Sequence, residues 1–503
     1  MMPVSRGKAL FLALLVLIVY TLLFQDLRGL WESSEGRYVN VAIEMLRFDD
    51  WLHPMTHHEH PHWTKPPLTY WAIAASIDTL GRSEFVMRLP GMFGFILTTL
   101  FVWQLGRLFH PQRPWLPALI YASFMFPASA SNFITTDSLL TAAVTASFTG
   151  FCFALWGKVG SFGARYGALF GWFAAGLGYL IKGPAVALPL FALLLFYIFQ
   201  HRAFVGVRLY WIPGLILSAL VASSWFLMLA GENPSLFFDF IYNEVLVRAT
   251  SDKHQRNAEW YGGLRTYLPV LLIGTLPWWV YVWRGFKKPL MVWYRSFRGG
   301  ADRIDEKQKF LLLWFLFPMT VFMLVKSRLP FYILPLFVPL ALLAASEAEA
   351  LFSKRRWYLV PMAGVAFVLV FRLVLGVADH FKDVSIDSRM LAGQLQQIWP
   401  AKLDEVVFVS HEAQQGLSFY LDAEVEQLAM NEADVDEAQQ QTVSDELINE
   451  GDNEDRLWIV RRKNAEAFEA VVKETGYEAG SLGEARGRKP YRVYRVDMAP
   501  GAR

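Results

Sequence analysis

The chain of 503 residues has one cysteine, Cys152, so neither a disulfide framework nor a thiolate metal cluster is open to it. Charge is scarce as well. Lys, Arg, Asp and Glu make up 18% of the residues, against roughly 25% in soluble domains. The net charge is only +2 and the basic residues form no stripe, so nothing points to a nucleic-acid partner. There is no internal repeat and no low-complexity stretch. The first residues, Met-Met-Pro-Val-Ser-Arg-Gly-Lys before an apolar run, resemble a signal sequence. That run ends in Leu23, Phe24, Gln25 and Asp26, which lack the small residues of a processing site. It is expected to be a retained first span.

What is abundant is apolar surface. Hydrophobic residues reach 54%, and the runs 9–24, 85–101, 115–130 and 139–156 are nearly free of charge. A hydrocarbon core of roughly 30 Å takes about 17 to 25 such residues per helix. About eleven spans fit, near 8–24, 85–106, 115–131, 137–156, 167–181, 184–200, 210–230, 264–283, 310–326, 330–348 and 357–377. The fold class is a mostly α, polytopic membrane protein. Residues 1–379 form its membrane domain and 380–503 a soluble one. Lys182-Gly183-Pro184 and Ser327-Arg328-Leu329 read as tight re-entries, each with a proline suited to starting the next helix.

Orientation follows from the loops. With Arg6 and Lys8 in the cytoplasm, the alternate loops carry Arg107 and Arg113, Lys158 and Arg165, Arg202 and Arg208, and Lys354 to Arg356. Loop 284–309 adds eight more Lys and Arg residues, among them Arg284, Lys287, Lys288 and Arg295. This is the positive-inside pattern. Two large segments then face outward: 25–84, with a short interfacial helix from Glu35 to Phe48, and 231–263, with Asn243, Glu244, Arg248, His254 and Arg256. The outward tail alternates like strands over 405–410 and 456–460, and 464–475 reads as an amphipathic helix, giving a small α/β domain. Acidic 431–454 is expected to be a loop.

An ionisable side chain at membrane depth is costly, and so is a functional candidate. Asp137, Lys182, Lys326 and Arg328 all come out at span ends on the outer side. With the outer segments they gather acids (Glu32, Glu35, Glu44, Asp137, Glu244) and cations (Lys65, Lys182, Lys326, Arg328) on one face. A carboxylate there can take the proton of an acceptor hydroxyl. Fixed cations stabilise a leaving phosphate. The bland readings are a salt bridge between Glu35 and Arg37, an N-cap for Asp137, and snorkelling for the cations. The run His53, His57, His58, His60 and His62 is expected to be a solvated loop.

Residues 31–38, Trp-Glu-Ser-Ser-Glu-Gly-Arg-Tyr, continue through Ile43-Glu44-Met45-Leu46 to Asp50-Trp51. They resemble the first outer loop of a bacterial glycosyltransferase family that uses polyprenyl-phosphate sugars. The family includes lipid A aminoarabinose transferases and is related to protein O-mannosyltransferases, all of the GT-C fold. Thr64-Lys65-Pro66-Pro67-Leu68, Thr135-Thr136-Asp137, Lys182-Gly183-Pro184 and the stretch from Lys326 to Pro335 resemble its later motifs in order. His254, with Trp260-Tyr261 and Leu268-Pro269, resembles its middle loop. The likeness covers roughly 25–345.

The resemblance implies a membrane glycosyltransferase of the bacterial inner membrane, with its active site and tail on the periplasmic side. Its donor would be a polyprenyl-phosphate sugar, and its acceptor a lipid, glycan or protein. By the same likeness, Glu35 and Asp137 are the catalytic acids of an inverting transfer. Arg37, Tyr38, Lys65, Lys182, Lys326, Arg328 and Tyr332 hold the donor phosphate. Two departures stand out. Ser34 replaces the first acid of the family's Asp-Glu pair. Thr64 replaces a Glu that, with a His, resembles a zinc site in the aminoarabinose transferases, leaving His254 as the one candidate for a divalent metal. The alternative function is a transporter or flippase for lipid-linked sugars. That needs a polar path to both faces, and the polar set here is one-sided.

Overall fold

The structure, a computed structural model, describes residues 6–32, 34–57, 60–62, 64–200, 209–232, 257–299, 303–353, 356–381, 386–435, 441–449, 455–487 and 489–499. The chain forms two compact units. One comprises Met1–Gln25, Trp63–Thr69 and Arg88–Arg372; the other comprises Asp26–His62, Tyr70–Met87 and Leu373–Arg503. The tail therefore shares a unit with most of segment 26–87.

In the first unit apolar composition sets the helices. Among the described residues seven are long and apolar enough to cross a membrane, or eight if the pair Gly262–Gly274 and Trp279–Phe297, bent by 113°, is one span. The chain is a multi-pass membrane protein, and the described residues do not confirm the expected count of eleven. The runs 167–181 and 184–200 form one helical stretch of 37 residues, Phe162–Ile198, interrupted by a 3-10 turn at Gly183–Val186. The run 115–131 becomes two short helices, Leu116–Ser123 and Met125–Ala130, because Phe124 is extended at ψ 134°. The run 264–283 breaks between Gly274 and Trp279. Hydropathy registers composition, and such backbone breaks leave composition unchanged.

Helix contact in this unit depends on small residues. A β-carbon on Gly150 would stand 2.3 Å from the Gly167 carbonyl oxygen, and one on Gly167 2.5 Å from that of Gly150. The helices Thr136–Trp156 and Phe162–Lys182 thus meet backbone to backbone, the close approach by which glycines associate helices in lipid. Buried aromatics, among them Phe148, Trp156, Phe310 and Trp314, fill the space beside them. Arg372 is buried, and its guanidinium donates to the carbonyls of Tyr20, Leu23 and Ala128 and to Ser131 Oγ, at 2.8–3.1 Å. A cation on helix-terminal carbonyls both satisfies them and opposes the helix dipole.

In the second unit the helix Ser34–Arg47 follows a short loop. A two-stranded hairpin comes next, β1 (Met55–His57) with β2 (His60–Pro61). The tail supplies β3 (Glu405–Val409), β4 (Glu424–Leu428), β5 (Arg456–Arg461), β6 (Tyr477–Arg486) and β7 (Pro490–Met498). Their order in the sheet is β4-β3-β5-β7-β6, with β3 parallel to β4 and β5, and β7 antiparallel to its neighbours. Alternation in β3 sends Val406 and Phe408 to a core with Leu391 and Leu395, and Val407 and Val409 to one with Trp458 and Phe468. The expected strands and the helix, Ala465–Glu474, are present. Acidic 431–454 contains a helix, Val443–Asn449, started by a capping box in which the Asp445 amide donates to Thr442 Oγ1 and the Thr442 amide to Asp445 Oδ2.

Candidate active site

In the first unit the site grows from two helix ends. Thr135 is the N-cap of the helix Thr136–Trp156, its side chain accepting the Asp137 amide. That relieves Asp137 of the capping task. At the other end, Lys182 closes the helix Phe162–Lys182, where Gly183 takes φ 64°, a left-handed value glycine adopts without strain. Lys182 Nζ lies 2.5 Å from Asp137 Oδ1 and 4.6 Å from the centre of the Tyr332 ring. Both charged side chains are about nine-tenths buried. Asp137 Oδ2 has no hydrogen-bond partner among the described residues. Pro66, beside Lys65, lies 3.9 Å from where a β-carbon on Gly183 would stand, so the Lys-Pro-Pro and Lys-Gly-Pro motifs are neighbours.

Arg328 is buried and committed elsewhere. Its Nη1 donates to the carbonyls of Asn257 (2.6 Å) and Glu259 (2.9 Å), and its Nη2 to that of Met323 (3.0 Å). Asn257 Nδ2 returns a bond to the Arg328 carbonyl. This is a fastening of backbone segments that takes three of the five guanidinium N–H groups. Lys326 is exposed and Lys65 half-buried.

The second unit holds the other acids. Glu35, at the start of its helix, is buried and gripped by Arg28: Nη1 to Oε2 at 2.5 Å and Nη2 to Oε1 at 2.7 Å. The Trp31 amide adds a third donor at 3.0 Å. The expected partner, Arg37, is not the one that holds Glu35. Tyr38 is buried against Tyr70, ring centres 5.6 Å apart, and Glu44 is buried with Arg47 at 2.7 Å.

Glu32 carries the most perturbed chemistry here. It accepts from Ser388 Oγ at 2.7 Å and from the Gly416 amide at 2.6 Å, and its Oε2 is buried without a hydrogen bond. Burial pushes its pKa from 4.5 up to about 7, against the pull of those two bonds; Glu412 adds to the rise and Arg37 opposes it. Its carboxyl fills the space where β-carbons on Gly36 and Gly416 would be, at 2.1 and 2.8 Å. The glycine in Ser-Glu-Gly is therefore there to admit a side chain four residues back.

Sequence reading missed the Arg28 and Arg372 anchors. The signal for Arg28 was local: a cation seven residues before Glu35 in a short loop.

Among the described residues His53, His57 and His62 do not converge on one centre. His53 Nδ1 pairs with Asp50 at 2.9 Å, His57 Nε2 lies between Glu405 (3.3 Å) and Glu424 (3.1 Å), and His62 packs edge-on to Tyr70. His58, and His254 with the rest of 233–256, lie outside the described residues. Thr64 offers no carboxylate for the zinc-like pair that the family resemblance implies, so the residues described do not fit that site. Three buried carboxylates, Glu405, Glu426 and Glu446, do lie within 4.8 Å of one another. Arg456 forms ion pairs with two of them, Glu446 at 2.7 Å and Glu405 through Nε, and answers their charge as a cation.

The model of one family, dolichyl-phosphate-mannose-protein mannosyltransferase, matches residues 64–227. The chain is 31% identical over 382 residues to the undecaprenyl phosphate-alpha-4-amino-4-deoxy-L-arabinose arabinosyl transferase of Yersinia enterocolitica. That match takes in 74% of this chain and 65% of the relative, so the chain spans a little under two thirds of its length. Among solved structures, it superposes on ArnT from Cupriavidus metallidurans bound to undecaprenyl phosphate with a TM-score of 0.76 at 17% identity, covering 99% and 100% of the two chains. The Archaeoglobus fulgidus oligosaccharyltransferase follows at 0.52 and 14%, covering 95% of this chain and 70% of that one. The fold is GT-C.

Proposed function

We propose that this GT-C-fold membrane protein is a glycosyltransferase. It moves a sugar from a polyprenyl-phosphate donor, of the undecaprenyl-phosphate type, to a hydroxyl or phosphate of a lipid, glycan or protein acceptor. The reading places the reaction on the periplasmic face of a bacterial inner membrane, supported by the positive loops that would lie inside. The observation that carries it is the buried Asp137–Lys182 pair over Tyr332. A cation held by one carboxylate at a helix end, in a chain similar to aminoarabinose transferases, suits a lipid phosphate.

In the proposed reaction the donor phosphate draws Lys182 from Asp137. The acceptor oxygen attacks the anomeric carbon from the face opposite the phosphate. The carbon–oxygen bond to phosphate breaks, and polyprenyl phosphate leaves with the electron pair, its charge met by Lys182. The acceptor proton passes to Asp137 Oδ2, the carboxylate oxygen that Lys182 does not hold. Lys65, Lys326 and Tyr332 complete the donor site, and Arg328 positions the segment carrying Tyr332. Glu35, the other sequence candidate for the base, has both oxygens taken by Arg28, so we assign it to ordering the start of the helix that carries Arg37 and Tyr38.

Purified protein given polyprenyl-phosphate sugars and membrane extract should release polyprenyl phosphate, followed by mass spectrometry. Release that persists at the wild-type rate in Lys182→Met and Asp137→Asn would remove this site from the reaction.

A further inference from the structure

The second unit contains a cavity of about 550 Å³ that the proposed chemistry does not use. Helical residues Ile43, Leu46 and Ile77 make one wall apolar. The rest of the lining is charged with both signs. Arg82 Nη1 donates to Asp422 Oδ1 at 2.6 Å and its Nη2 to the Ser418 carbonyl. Arg47 sits between Glu44 at 2.7 Å, Glu424 at 3.8 Å and Asp422 at 4.0 Å. At the rim Lys402 and Asp404 are well exposed, their charges 4.0 Å apart.

Two features define the occupant. Arg47 Nη2 is buried with no hydrogen-bond partner among the described residues. A buried guanidinium nitrogen without an acceptor is costly, and an oxygen supplied from the cavity would relieve it. The lining is also balanced: Arg47, Arg82 and Lys402 against Asp404, Asp422 and Glu424. A wall with no excess positive charge is poorly suited to a phosphate dianion. Alternating guanidinium donors and carboxylate acceptors suit hydroxyl groups, each of which donates and accepts. The apolar part of the lining suits the C–H face of a sugar ring.

We propose that this cavity is a carbohydrate site that takes a short glycan of one to three rings. Its size falls within the range of roughly 300–1,000 Å³ that small-ligand pockets occupy. Arg47 ends the helix that Glu35 begins, twelve residues on, about 18 Å at 1.5 Å per residue. A glycan seated here would therefore be held well away from the Glu35 end of that helix. Its identification as the remote part of the acceptor rests on the transferase reading; the site itself does not.

The test is binding to the full-length protein in detergent, read by saturation-transfer NMR and titration calorimetry. The probes are one- to three-ring oligosaccharides of glucose, mannose, galactose and N-acetylglucosamine, with inorganic phosphate alongside. At least one oligosaccharide should bind, and the rim double variant Lys402→Ala with Asp404→Asn, which leaves the buried Arg47 contacts untouched, should weaken it at least fivefold. No oligosaccharide binding, unchanged binding in that variant, or phosphate binding in place of sugar would overturn the proposal. Wild-type protein that binds sugar but never cleaves a lipid-phosphate donor would leave this site standing and remove the transferase reading. Donor cleavage without sugar binding would do the reverse.

Discussion

Arg28 holds both carboxylate oxygens of Glu35, at 2.5 and 2.7 Å, in a pair that is all but fully buried. Removing one partner of such a pair leaves an uncompensated buried charge, which costs about 3–5 kcal/mol. Arg28→Ala should lower the unfolding midpoint sharply, while Arg28→Ala combined with Glu35→Gln should recover much of the loss. Thermal unfolding in detergent measures both. A double variant no better than the single would show that the guanidinium supports the fold other than by answering Glu35.

Asp137 and Lys182 should separate by step. Lys182→Met is expected to weaken polyprenyl-phosphate binding, since it removes the cation that meets the leaving group. Asp137→Asn should leave that affinity near wild type or improve it, yet cut turnover by roughly 10²–10⁴-fold, the usual range for a lost general base. Titration with polyprenyl phosphate beside single-turnover kinetics distinguishes the two.

Glu32 gives the second unit a pH dependence. Its pKa is raised from 4.5 to about 7 in the folded protein. A raised folded value contributes stability that is fully present below 4.5 and is lost as pH climbs through about 7. Unfolding midpoints measured from pH 4 to 8 should therefore fall more in the wild type than in Glu32→Gln, with the curves converging toward low pH. Parallel curves would contradict the burial of this carboxyl.

Glycine positions should divide sharply. Gly150→Ala would place a methyl group 2.3 Å from the Gly167 carbonyl, a backbone atom with little freedom to move. A loss of several degrees in thermal stability is expected. Gly393→Ala, in the helix Ser388–Ile398 with no atom within 4 Å of the new methyl, should be neutral or stabilising by about 1 kcal/mol, the difference in helix propensity. Equal effects at the two sites would contradict the backbone-to-backbone packing.

Much of this was legible along the chain because it is local. Apolar runs report helices, alternation reported β3 and β5, and Asp137 and Lys182 stood out as charges at the ends of apolar runs. What escaped depends on backbone course and on distant pairings. Composition did not reveal that the chain around Gly183 continues as one stretch, or that 264–283 bends by 113°. Arg372 finds its acceptors near Tyr20 and Ala128, some 350 and 240 positions away in sequence, and nothing in its own segment announces them. Arg328 looked like a phosphate ligand because its neighbours along the chain, Lys326 and Tyr332, suit one; its bonds to Asn257 and Glu259 come from elsewhere. The raised pKa of Glu32 likewise arises from burial beside Ser388 and Gly416.

The most direct measurement follows a panel of polyprenyl-phosphate sugars incubated with purified protein and membrane extract, scoring donor lost and polyprenyl phosphate gained. The account predicts that one donor is cleaved stoichiometrically with transfer, and that Lys182→Met and Asp137→Asn abolish it while remaining folded. If no donor is cleaved and the folded protein instead moves lipid-linked sugar across vesicles, the transferase account is contradicted and the protein is a transporter.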